Sequence, residues 1–313
     1  MPDRAAPELA DRSLRGNPVP VAVAGAMVIA FSGILVRLAE ETPETVAVFR
    51  CLYALPALGA LAWWERRRYG ARPARERRMG AYAGVLFAAD LVLWHHSIDG
   101  VGAGLATVLG NLQVVLVAFA AWAFLGEKPG SRVIAAVPVV LTGAVMISGL
   151  LEEGAYGDHP IRGTLFGIGT TFAYAGFLLV LRQTNVDHRR PAGPLFDATL
   201  VSAVVAAAVG ATYGAVDLVP SWPSHGWLIA LALSSQVVGW LLISTSLPRL
   251  PAALTSVILL IQPVAAVALA AVLISEEPTV LQIAGVLVVL AGVVLATASR
   301  RAQPAEPGSA GPA

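Results

Sequence analysis

Runs of about 20 apolar residues, each closed by a charged or Pro- and Gly-containing connection, recur along the whole chain. A hydrocarbon core of about 30 Å is crossed by a helix of roughly 20 residues, so the pattern predicts ten transmembrane helices. Their expected bounds are 19–38, 45–64, 79–98, 103–125, 132–150, 163–181, 195–215, 226–247, 252–274 and 279–298. The first run lacks a small-residue cleavage site and is followed by nine more, so it reads as a retained helix rather than a removed signal. The fold class this implies is an all-α polytopic membrane protein.

Composition agrees. Apolar residues make up 57% of the 313 and charged residues 13%, against about 25% charged in soluble domains; the mean hydropathy is +0.72. The single cysteine, Cys51, lies inside the second run, so it reads as a small packing residue. The net charge of +1 says little, but its distribution says more. Every Lys and Arg except Arg37, Arg50 and Arg162 falls in alternate connections or the tails, most densely in ERRRYGARPARERR at 65–78. The other connections carry Glu40, Glu41, Glu44, Asp99, Glu152, Glu153, Asp158, Asp217, Glu276 and Glu277. Basic loops stay in the cytoplasm, which predicts an inner-membrane protein with both termini cytoplasmic. The arginine loop is short and lacks interleaved aromatics, so nucleic acid is not an expected partner. Lipid and a small organic solute are. The cytoplasmic tail at 1–18 precedes the first helix, and the Pro-, Ala- and Gly-rich tail at 299–313 reads as disordered. Nothing in the pattern specifies an oligomer.

The chain also repeats itself. An offset of 149 residues places Gln113 on Gln262, Glu127 on Glu276, Pro129 on Pro278 and Gly143 on Gly292 without a gap. From 103–149 against 252–298, about a third of the positions are identical. Two units follow, 19–150 and 163–298, each of five predicted helices. Five is odd, so the second unit enters the membrane inverted, a construction typical of secondary transporters.

The blocks AGLATVLGNLQVVLVAFAAWAFLGEKPGSRVIAAVPVVLTGAVMISG and AALTSVILLIQPVAAVALAAVLISEEPTVLQIAGVLVVLAGVVLATAS, with AVFRCLYALPAL in the second run, resemble the EamA-type branch of the drug/metabolite transporter superfamily. The resemblance covers nearly everything outside the tails. It implies ten helices as two inverted five-helix repeats around a central cavity lined mainly by spans 1, 3, 4, 6, 8 and 9. Members move small metabolites, often amino acids or related compounds and often outward. The Pro that the family carries midway along the fourth helix of each repeat is present as Pro263 and replaced by Val114 in the first.

Polar side chains at lipid depth cost several kcal/mol if unpaired, so those near the midplane are expected to face protein or a wet cavity. Counting about 1.5 Å per residue, Asp90, Asn111, Gln113, Tyr174, Gln236, Trp240 and Gln262 reach a common depth. Trp94 follows Asp90 at i+4, on the same face. These eight are the candidate solute-binding residues. The aromatic ones offer flat surfaces for stacking or cation contact, and the amides can both donate and accept. For each, holding helices together is the alternative role.

Asp90 is the deepest acidic residue, and with His95 and His96 nearer the acidic mouth it is a candidate for coupling transport to protons. Arg50 is expected to snorkel toward Glu44 or Glu41 as a structural or gating pair. Glu127 and Glu276 fit helix-stop or gate roles, and Gly163 and Gly167 fit close helix packing. No catalytic residue, metal site or cofactor is expected: there is no HExxH, no second acid at the depth of Asp90, no nucleophile elbow and no phosphate loop. A sensor or lipid-flipping protein on the same scaffold stays open as an alternative.

Overall fold

The computed structural model describes residues 17–113, 115–116, 119, 122–123, 129–184, 187, 189–246, 249–250 and 258–297. The two tails, Val114, Glu127, Lys128 and most of the second half of the fourth predicted span lie outside the described residues. So do the first residues of the ninth.

The regular elements among the described residues are all helices. The α-helices are α1 (Pro18–Ala30), α2 (Ser32–Ala39), α3 (Pro43–Tyr69), α4 (Ala74–Val101), α5 (Ala103–Gly110), α6 (Ser131–Ile147), α7 (Pro160–Thr184), α8 (Ala192–Tyr213), α9 (Ser224–Leu231), α10 (Trp240–Ser246), α11 (Ile261–Leu273) and α12 (Val280–Thr297). A π-helical segment, Ala232–Gly239, joins α9 to α10. Six helical stretches among the described residues are long and apolar enough to cross a membrane: Pro18–Ala39, Pro43–Tyr69, Pro160–Leu181, Ala192–Thr212, Ser224–Ser246 and Val280–Thr297. The shorter apolar helices α6 and α11 add to them.

Local chemistry sets the helix ends. Asn17 accepts from the Val19 N–H ahead of α1, and Thr42 accepts from the Thr45 N–H ahead of α3, as N-caps do. α1 and α2 together form the first span, interrupted at Phe31, where the Ser32 hydroxyl donates to the Ile29 carbonyl at 2.6 Å. Pro263 sits in the first turn of α11, where its missing N–H leaves no intrahelical bond unmade.

The helices pair across the two halves of the sequence. The most extensive contacts join α4 to α7, α6 to α12 and α3 to α8; α5 packs on α11, and α1 and α2 pack on the α9–α10 stretch. Exchanging the halves maps this set of pairings onto itself. Small residues allow the approaches: a Cβ on Gly143 would lie 2.7 Å from the Gly285 carbonyl oxygen, and one on Gly285 2.8 Å from that of Gly143. Gly163 abuts Gly100, and Gly167 abuts Leu109. Large apolar side chains remain on the outside, among them Leu165, Phe172, Val204, Val272 and Leu287. On a soluble protein such a belt would be a liability; here it faces lipid, and the protein is a multi-pass membrane protein.

The bundle has two chemically distinct ends. At the acidic end, Glu276 places its two carboxylate oxygens 2.6 and 3.1 Å from the Ala103 and Gly104 N–H groups, at the N-terminus of α5. The turn into α5 is made by Gly102 at φ +88°, where a Cβ would also meet the Glu276 carboxylate at 2.8 Å. Burial pushes the Glu276 carboxyl above its ordinary range, and the two backbone donors oppose that push. At the arginine-rich end, Glu65 accepts from the Ala192 and Gly193 N–H groups, both at 2.9 Å, at the N-terminus of α8.

Candidate functional site

Between the two ends lies a cavity of about 540 Å³, a volume that includes space open to solvent. The break between α1 and α2 contributes Ile29 and Ser32; α3 contributes Arg50; α4 contributes Phe87, Asp90, Leu91 and Trp94. Across from them stand Thr107, Gly110 and Asn111 at the end of α5, Thr170 and Tyr174 of α7, Trp240 of α10 and Gln262 of α11. Several of these positions, among them Ser32, Asn111, Tyr174, Trp240 and Gln262, lie near the middle of a helix or at a break within a span.

An arginine and an aspartate share this space. Arg50 and Asp90 are 4% and 7% exposed. They interact electrostatically, yet no direct ion pair joins them. Arg50 is held from behind: its Nε donates to Gln236 Oε1 at 3.1 Å, and Gln236 Nε2 donates to Thr199 Oγ1 at 3.1 Å. Its guanidinium lies 5.7 Å from the centre of the Trp94 ring, within range of a cation–π contact. Its Nη1 is buried without a partner among the described residues. A buried charged donor left unmet costs more than a neutral one, and the residue that carries it lines the cavity.

One wall is aromatic. Phe87 stacks on Phe177 at 4.4 Å, and Trp240 stands edge-on to Phe87, Phe177 and Tyr174 at 5.9, 5.4 and 6.2 Å. These rings present apolar area without rotamer-rich chains, suited to an aliphatic or aromatic solute body. Among the described residues, no group of three or more His, Cys, Asp or Glu could hold a metal ion.

The EamA-like transporter family model matches residues 18–149 and again 161–298, once in each half of the sequence. The chain belongs to this family. It is a membrane transporter protein of the drug/metabolite superfamily type, and the repeat legible in its sequence is a repeat of the family unit. A solved structure, described as a crystal structure of a protein, is similar over 91% of this chain and 99% of that one, with a TM-score of 0.61 and 14% identity. At that identity the likeness shows the fold, which therefore spans both halves. No curated protein matches the chain.

In this EamA-like protein, the cavity gathers Asp90, Trp94, Asn111, Tyr174, Trp240 and Gln262 of the eight candidate binding residues, together with Arg50. Gln113 and Gln236 do not line it. Gln113 is buried beside Tyr174, with its Oε1 lacking a partner among the described residues. Gln236 is fully buried behind Arg50. Arg50 does not snorkel toward Glu44 or Glu41; it turns inward to Gln236, because Glu44 is six residues away and off its helical face. Glu44 instead pairs with His96 at 3.0 Å. His95 Nδ1 lies 3.1 Å from the Pro43 carbonyl oxygen, which can only accept, so Nδ1 carries the proton. Both histidines thus sit at the acidic end, above the cavity rather than in its wall. Ser32, Thr107 and Thr170 line the cavity and Thr199 anchors Gln236; small hydroxyl residues are so ordinary in apolar helices that nothing in the sequence singled them out.

Proposed function

We propose that the protein is a secondary transporter of ten transmembrane helices, in two inverted five-helix units at 19–150 and 163–298, that moves a small zwitterionic, amino-acid-like solute by alternating access. The carrying observation is the cavity between the ends, where a guanidinium and a carboxyl group that no direct ion pair joins line one volume. Arg50 takes the solute carboxylate, Asp90 its ammonium group, and the wall of Phe87, Tyr174 and Trp240 its side chain. The exchange-invariant pairing of helices supports the inverted arrangement, since mirror-related halves can trade conformations and expose one site to each side in turn. The charge asymmetry of the connections supports a cytoplasmic arginine-rich end in the inner membrane, and export is the direction expected from the family. Asp90 also takes up and releases a proton between the two states, coupling transport to the proton gradient.

Reconstituted protein tests this with counterflow of labelled amino acids and related metabolites, with and without a pH gradient. Saturable counterflow of a zwitterion is expected. Absence of counterflow for every solute class, in protein shown to be folded, would refute it. Persistence of pH dependence in Asp90→Asn would remove proton coupling through that residue.

A further inference from the structure

Residues 65–78 act, on composition, as an orientation signal. Folded, they also help close a second cavity, of about 800 Å³ including open space, at the arginine-rich end between α3, α4 and α8. Its walls carry four guanidinium groups, Arg66, Arg72, Arg77 and Arg190, against two carboxylates, Glu65 and Asp197. The balance is two positive charges. Both carboxylates are already committed: Glu65 to the start of α8, and Asp197 to Arg72 Nη2 at 2.5 Å. Arg190 is held by Asp187 at 3.0 Å.

What remains is donor capacity without an acceptor. Arg72 Nη1 is buried with no partner among the described residues, and none of them makes a hydrogen bond or ion pair with the Arg66 or Arg77 guanidinium; Arg77 acts only electrostatically, on Asp197. Packing keeps Arg72 in place, for a Cβ on Gly193 would lie 2.6 Å from its Nε. Guanidinium forks match tetrahedral oxyanions bidentately. The mouth is also placed for a membrane ligand. Trp63 and Trp64, 56% and 51% exposed, project from the adjoining end of α3, with Arg67 over the Trp63 ring at 4.3 Å; exposed tryptophans beside arginines mark the headgroup level.

We propose that this cavity binds a phosphate group, presented by the headgroup of an anionic phospholipid or by a soluble phosphorylated compound. It is separate from the midplane cavity and shares no residue with it. Its test is therefore independent of transport.

The full-length protein in neutral detergent is titrated with phosphatidylglycerol, phosphatidylcholine and inorganic phosphate, with adducts read by native mass spectrometry and stabilisation by thermal shift. Arg66→Gln/Arg77→Gln removes two lining charges that anchor nothing; Arg68→Gln/Arg75→Gln removes two exposed charges that do not line the cavity. Phosphatidylglycerol is expected to be retained over phosphatidylcholine by about tenfold or more, a preference lost in the lining variant and kept in the other. Retention of phosphatidylglycerol that millimolar phosphate does not displace assigns the site to lipid. Displacement and stabilisation by phosphate alone assign it to a soluble compound. Absence of any preference or phosphate effect overturns the proposal, as does equal loss in both variants, which means diffuse surface attraction.

Discussion

Removing the two cavity charges one at a time separates solute recognition from scaffolding. Arg50→Gln deletes the guanidinium whose Nη1 is buried without a partner. A solute carboxylate filling that position makes a charge-assisted hydrogen bond worth about 1.5–3 kcal/mol, which at 1.4 kcal/mol per decade is roughly 10- to 150-fold in Kd. Asp90→Asn should act likewise on a solute ammonium. The assay uses three solutes on one carbon skeleton, a zwitterion, its amine and its acid, titrated against wild type and both variants in detergent. Arg50→Gln should weaken the zwitterion and the acid and leave the amine within about twofold; Asp90→Asn should weaken the zwitterion and the amine and spare the acid. Arg50→Lys keeps the charge but not the fork, so it should recover part of the loss. Variants that weaken all three solutes alike, while melting as the wild type does, would show that the two residues shape the cavity without reading charge.

Gln236→Leu leaves Arg50 Nε and Thr199 Oγ1 without their partners and should destabilise by about 1–3 kcal/mol, read as a lowered melting temperature in detergent. Gly143→Ala and Gly285→Ala each force a methyl against the opposing backbone at 2.7–2.8 Å; each should cost about 1–3 kcal/mol, and the double variant less than the sum, since the first separates the helices for the second. Gly110→Ala, whose Cβ meets only Thr170 at 3.8 Å, should be neutral in the same assay. Burial raises the Glu276 carboxyl above its ordinary value, so the folded state takes a proton before the unfolded chain does. Wild-type stability should therefore rise, relative to Glu276→Gln, as pH falls through the raised value toward the ordinary one of about 4.3; parallel melting curves from pH 4 to 8 would contradict this.

Depth was legible in the sequence and azimuth was not. Rise per residue is constant, so counting brings seven residues to one level, and Asp90, Asn111, Tyr174, Trp240 and Gln262 among them line the cavity while Gln113 and Gln236 do not. Which way a side chain points depends on phase. Asn111 and Gln113 are two residues apart and cannot share a helical face; Asn111 meets the cavity and Gln113 does not. Gln236 lies four residues before Trp240, yet its amide is drawn off by Arg50 and Thr199, partners on α3 and α8 that no local pattern reveals. The Arg50 expectation failed for the same reason: the nearest carboxylates in sequence are not nearest in space, and Glu44 is taken by His96 on α4. The arginine loop shows the converse, since a charge sum read as an orientation signal says nothing of the cavity those side chains line.

Several buried polar groups have their hydrogen-bonding capacity met in full. Gln282 accepts from the Tyr156 and Thr279 N–H groups and donates to the Ile147 and Tyr156 carbonyls, while Glu65 and Glu276 each close a helix N-terminus with both oxygens. Eight buried side-chain atoms lack a partner among the described residues, and the two that belong to charged groups are Arg50 Nη1 and Arg72 Nη1. The two arginines line different cavities, Arg50 one and Arg72 the other. An unmet charged donor is a cost that a bound anion removes, and the surroundings indicate which anion. Arg50 faces a carboxyl and aromatic rings, which suit a small zwitterion; Arg72 is flanked by further arginines at the level of exposed tryptophans, which suits a phosphate. Because Arg72 pairs with Asp197 and Arg50 with Gln236, the two cations are anchored through different hydrogen bonds, and occupancy of one cavity should leave affinity at the other unchanged.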